Sequence, residues 1–213
     1  MSAVPAALPP VPAALPPVRG ASPALGMWVF IASELLFFGG LLAAYGYARV
    51  HAGSGFVSAS RHTDVVLGTL NTAVLLTSSA VIALAAACAE HHGHRRWTAR
   101  LLLATAGLGC VFLAIKGFEW NQEWQEGLFP GPGFTLHEPG AQLFFMLYYV
   151  MTGLHGVHMI CGIVTVLLFA RATRARKAWA RPDRVEALAL YWHFVDIVWI
   201  FLYPLLYLVE RHA

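Results

Sequence analysis

The 213-residue chain is 58% hydrophobic and 12% charged, with a mean hydropathy of +0.62; ordinary soluble domains carry roughly twice that share of charge. Several apolar runs exceed the ~20 residues that cross ~30 Å of hydrocarbon, which excludes a soluble globule and makes the chain an all-α polytopic membrane protein. The isoelectric point near 8.9 comes from arginines crowded onto one side of the membrane and gives no argument for nucleic acid.

Residues 1–23 form a proline-rich arm in which PAALPPV occurs twice in tandem, at 5–11 and 12–18. It has neither the basic start nor the long apolar core of a cleavable signal. Proline at this density favours extended polyproline II, so the expectation is a disordered, solvent-facing linker or docking arm. Residues 24–213 form the membrane domain, a bundle of five transmembrane helices over 24–49, 65–89, 97–120, 142–169 and 185–209. Gly39 and Gly40 in the first span, and Gly153, Gly156 and Gly162 in the fourth, offer close helix approach. Cys88, Cys110 and Cys161 all fall inside spans, unpaired by any CxxC spacing, and read as small hydrophobes.

Five spans place the termini on opposite sides. One side carries Arg19, Arg95, Arg96, Arg100, Arg171, Arg174, Arg176, Lys177, Arg181 and Arg184; the other carries only Arg49, Arg61 and Arg211. The basic side is expected to be cytoplasmic, which puts the N-terminus inside and the C-terminus outside. The loop 121–140 agrees. It holds Glu123, Glu126 and Glu138, no Lys or Arg, and the turn-forming PGPG at 130–133.

An ionisable residue inside a span is a functional hypothesis by default. Glu34 sits among apolar residues in FIASELLFFGG. It is either a proton-sensitive or lipid-contacting carboxyl, or a neutral acid bonded to a neighbouring helix. Asn71 in the second span suits an interhelical hydrogen bond. In the fifth span Glu186, His193 and Asp196 stand at i, i+7 and i+10, on one helical face, which is expected to point at protein. His155 and His158, in GLHGVHMICG, share a face that can meet this stripe in a polar interhelical network, with lipid-headgroup or partner contacts as the weaker option. The same pair with His193 or Glu186 has the makings of a metal site, but HxxH alone is a weak signal, and no metal ligand is assigned. Lys116 and Glu119 read as a local ion pair near the outer interface, with Glu123 continuing the face.

The segments SELLFFGGLLAAY, LNTAVLLTSS, LGCVFLAIKGFEW, GLHGVHMICG and EALALYWHFVDIVWIFLY, in this order, resemble subunit III of haem–copper oxidases, the cytochrome c oxidase subunit III family, over nearly all of residues 27–207. The resemblance implies a non-catalytic subunit of a proton-translocating oxidoreductase. Its chain carries no haem or copper, packs beside subunit I with subunit II nearby, binds phospholipid, and supports proton uptake while subunit I reduces oxygen to water. Glu34 falls at the family's membrane-embedded, carbodiimide-reactive carboxyl. The longest family form has seven helices; here the proline-rich arm stands in place of the first two, so one wall of the family's lipid cleft is missing. Five-helix relatives also serve quinol oxidases and accompany nitric oxide reductase, and these remain the alternatives. A stand-alone metalloenzyme built on the histidines is a further rival. A small transporter is disfavoured for want of an internal repeat. The expected location is a bacterial inner membrane.

Overall fold

A computed structural model describes residues 23–52, 54–91 and 94–208. The proline-rich arm expected over 1–23 lies, but for Pro23, outside the described residues. Six helices follow in order: α1 (Pro23–His51), α2 (Ser54–Ser60), α3 (Val65–Glu90), α4 (Arg95–Gln125), α5 (Ala141–Arg174) and α6 (Pro182–Tyr203), closed by a π-helical turn, Pro204–Leu208. Five of them are long and apolar enough to cross a membrane, and the protein is a multi-pass membrane protein. The expected spans are each contained within a longer helix, apart from the last, which ends in the π turn. α4 continues five residues past Trp120 and α5 five past Phe169, because polar residues beyond the hydrocarbon keep their helical hydrogen bonds.

Local signals set the ends. Asp64 caps α3, its Oδ1 accepting from the backbone N–H of Val66 at 2.8 Å and of Leu67 at 3.1 Å. Pro182 opens α6 where its missing N–H costs nothing. At the far end of α6, Pro204 removes the N–H that would continue the α-helical ladder, and the chain relaxes into the wider π turn. That turn buries Tyr207 and Leu206.

The helices α3, α4, α5 and α6 form a ring in which α3 packs on α4 and α6, and α5 on α4 and α6; α1 lies outside, against α5 and α6. Only 6% of the apolar stretch of α1 is buried, against 61% for α6, so α6 is the axis and α1 the edge. Trp192 and Trp199 of α6 fill the ring, with Phe112 of α4 edge-on to Trp199 at 4.8 Å. Gly109 and Gly162 make room for Trp192, since a Cβ at either would meet its ring at 2.9 and 3.1 Å. By contrast a Cβ at Gly39, Gly40 or Gly156 would meet nothing within 4 Å; these glycines do not mediate helix approach within the chain.

The short α2 was not foreseen in the sequence. It folds back over the α5 start, and two glycines permit the contact. A Cβ at Gly55 would stand 2.4 Å from the Pro139 carbonyl oxygen, and one at Gly140 only 2.2 Å from that of Ala52. Gly140 also has φ 93°, open to glycine and strained for other residues. Ser58 donates to the Glu138 carboxylate across the same contact.

Candidate functional site

Glu34, on the first half of α1, turns toward α5 and meets His158, with Oε2 to Nε2 at 3.1 Å. Both side chains are largely covered, 20% and 18% exposed. The other ring nitrogen, Nδ1, lies 2.9 Å from the Leu154 carbonyl oxygen. A carbonyl only accepts, so Nδ1 carries a proton and donates. A hydrogen bond at Nε2 therefore needs one further proton, held either by the carboxyl or by the ring. Tyr191 donates to the His158 carbonyl at 2.8 Å, and Phe38 stacks edge-on to the imidazole at 5.3 Å. These contacts lock the ring toward α1.

The two histidines of GLHGVHMICG part company. His155 points into the ring, 1% exposed, between Phe112 at 5.5 Å and Trp199 at 5.2 Å. Neither of its nitrogens has a partner among the described residues. Three helical positions separate the side chains by about 60°, enough to give them different neighbours. Among the described residues no group of three or more His, Cys, Asp and Glu side chains is arranged to hold a metal ion.

The polar stripe of α6 divides too. His193 Nδ1 pairs with Ser79 Oγ of α3 at 2.7 Å. Asp196 is 2% exposed and Asn71 is fully buried, yet neither side chain has a hydrogen-bond partner among the described residues. Buried polar groups of this kind ordinarily bind ordered water. Glu186 departs from the expectation of an inward face. It is exposed one turn into α6, where the helix emerges near its polar start, and among the described residues it makes no hydrogen bond or ion pair with the histidines. α3 is stitched to α6 instead by Ser78 accepting from Trp192 at 3.0 Å and Thr72 accepting from Trp199 at 3.1 Å.

Lys116 and Glu119 form the expected i, i+3 ion pair at 3.1 Å, but it is buried in the bundle, 6% and 2% exposed, within a larger cluster. The Lys116 ammonium spends its three donors on Glu119 Oε2 at 3.1 Å, the Tyr148 hydroxyl at 2.7 Å and the Tyr207 hydroxyl. Tyr148 in turn donates to Glu123 Oε1 at 2.6 Å, and Tyr207 to Glu119 Oε1 at 2.6 Å. Glu123 is 4% exposed. The i, i+3, i+7 spacing on α4 was the visible signal. The phenols were not, because tyrosine is not ionised at ordinary pH and draws no notice among apolar residues.

The fold and these sites define a class: a multi-pass helical membrane protein with ionisable pairs inside its bundle. The cytochrome c oxidase subunit III family model matches residues 19–210. The chain is 35% identical over 193 residues to cytochrome c oxidase subunit 3 of Thermostichus vulcanus, covering 88% of this chain and 87% of that one. It is 32% identical over 191 residues to the probable cytochrome c oxidase subunit 3 of Nocardia farcinica, covering 88% of each. It also matches the haem–copper oxidase subunit I+III of Aeropyrum pernix, 34% identical over 193 residues, which are 86% of this chain and 22% of that longer protein. The chain belongs to the cytochrome c oxidase subunit III family, and is thus a subunit of an oxidoreductase complex that associates with other oxidase subunits.

Proposed function

We propose that the chain is the non-catalytic subunit III of a bacterial haem–copper terminal oxidase of the cytochrome c oxidase type, lying in the inner membrane with its N-terminus cytoplasmic. It packs on subunit I, and subunit II and the haem and copper centres lie outside it. Reduction of oxygen to water is the work of subunit I; this chain supports assembly, lipid binding and proton supply. Packing on subunit I draws support from the fused relative, whose name joins subunits I and III in one chain. The open flank of α1, with Leu35 and Leu36 62% and 80% exposed, has the area to take lipid or a neighbouring subunit. His193, Asp196, Asn71 and His155 hold the α3–α6 ring together as a polar, water-bridged packing layer.

The observation that carries the proton role is the Glu34–His158 pair, a carboxyl and an imidazole in hydrogen-bond contact between α1, the edge helix, and α5. A group that gains and loses a proton there acts as a store at the membrane surface of the complex. The test is Glu34→Gln in the whole oxidase. Assembly and haem spectrum should stay unchanged, carbodiimide labelling of the chain should vanish, and turnover at high pH should fall faster than at low pH. Unchanged labelling, or an unchanged pH profile, would remove Glu34 from proton supply. Oxygen and nitric oxide turnover of the same preparation separates a terminal oxidase from the nitric oxide reductase setting.

A further inference from the structure

At the end of the bundle opposite Lys116, the start of α4 and the end of α5 frame a cleft of about 1130 Å³. Arg95, Arg96, Arg100, Arg174 and Arg176 line it, and no acidic side chain does. All five are exposed, and none is in an ion pair among the described residues. A smaller recess of about 130 Å³ adjoins it and shares Arg95, Thr173 and Arg176 with the larger cleft.

Thr173 sets this place apart. It is 7% exposed, and its hydroxyl has no partner among the described residues. A helical threonine ordinarily donates to the carbonyl four residues back. Thr152 and Thr165 of the same helix do so at 2.6 and 2.8 Å, and Thr105 of α4 at 3.0 Å. The Thr173 hydroxyl makes no such bond and is left to serve the recess. Arg176 is held at the recess by an unusual backbone. It takes φ 53° at the turn that ends α5, where Lys177 N–H donates to the Ala172 carbonyl at 3.0 Å and Arg176 N–H to that of Thr173 at 3.3 Å. Glycine is the usual occupant of that position; arginine accepts its strain and adds a cation. The free N–H groups at the start of α4 add partial positive charge.

The geometry points to a binding site for the headgroup of an anionic phospholipid. Its phosphodiester sits in the recess on Thr173, Arg95 and Arg176, and the rest of the headgroup faces Arg96 and Arg100. Phosphate chemistry follows from five unneutralised guanidinium groups and a hydroxyl donor. A lipid source follows from the surroundings. Trp97, 57% exposed and under Arg100 at 5.2 Å, sits at the depth of an interfacial tryptophan. Leu103, 39% exposed, continues the cleft toward the hydrocarbon and gives an acyl chain its path. Basic pockets between helix ends are the ordinary seat of anionic lipid headgroups. The site rests on the lipid-binding part of the proposed function and lies away from Glu34.

The experiment uses the intact detergent-solubilised oxidase and a photoreactive phosphatidylglycerol, with a photoreactive phosphatidylcholine as control and peptide mapping of the adducts. Phosphatidylglycerol should label the segments 94–103 and 171–177, and phosphatidylcholine should not. Arg96→Gln with Arg100→Gln should weaken that labelling about tenfold or more. Arg176→Gly, which suits the φ 53° backbone, should weaken it with assembly intact. Equal labelling by the two lipids, unaffected labelling in both variants, or full displacement by inorganic phosphate would overturn the proposal, the last by making the site one for a free anion. Loss of a neighbouring subunit from the arginine variants with labelling unchanged would reassign the cleft to a protein contact. Total lipid phosphorus keeps the two readings apart: no cleft labelling in the unmutated complex while bound lipid persists refutes the site alone, and no bound lipid at all refutes lipid binding by the chain.

Discussion

At Glu34 and His158 the hydrogen-bond count decides the chemistry. Since Nδ1 donates to Leu154, Nε2 can accept from a protonated carboxyl or from an amide. Glu34→Gln preserves a donor at the same place and should cost the fold less than about 1 kcal/mol, read as an unchanged melting temperature of the complex. What it removes is the exchangeable proton, so only the proton-linked readouts should move. Lys116 is the opposite case. Its ammonium answers Glu119, Tyr148 and Tyr207 together. Lys116→Met would leave Glu119 and Glu123 buried without their cation. Breaking a buried charged group in this way costs about 3–5 kcal/mol, so the chain should dissociate from the complex at markedly lower temperature. Tyr148→Phe removes one hydroxyl, which accepts from Lys116 and donates to Glu123, and should cost about 1–3 kcal/mol. A smaller loss for Lys116→Met than for Tyr148→Phe would mean that the lysine is not the centre of the cluster.

Among the elements, the contact of α2 with the start of α5 is the most exacting. Gly140→Ala must both place a Cβ against the Ala52 carbonyl oxygen and hold φ 93°. The backbone conformation alone costs ~1–3 kcal/mol in a residue with a side chain. Limited proteolysis should then cut the 52–64 segment faster, while Gly131→Ala, where a Cβ meets nothing within 4 Å, should leave the pattern as it is. This contact was hidden in the sequence because a seven-residue helix has too few turns to show a period. The five long helices were legible for the opposite reason: hydrocarbon thickness imposes a length that any apolar run reveals. The polar sites were half legible. Glu34, His158, Asp196 and Lys116 stand out as ionisable groups in spans. Their partners do not, because those depend on which helix lies beside which. The stripe of Glu186, His193 and Asp196 shows the limit: one face of a helix passes from solvent at its start to the core within three turns, so a shared face did not give Glu186 the surroundings of Asp196.

For the whole molecule, the placement of its charges argues for a supporting role. The proton-bearing pair of Glu34 and His158 is on the flank, the Lys116 cluster near one end, and the unpaired arginines at the other. If subunit I carries the reacting centres, deleting this chain should leave their immediate surroundings untouched. The haem absorption of the remaining complex should therefore match that of the full oxidase. Its turnover should begin at a comparable rate, then decay within far fewer cycles, and slow more steeply as pH rises, as the proposed part in proton supply and lipid binding requires. Adding anionic phospholipid back should not restore the lost cycles, since the cleft that binds it has gone with the chain. A shifted haem spectrum in a correctly assembled subunit I would place this chain in contact with the redox centres, and the supporting role would have to be abandoned.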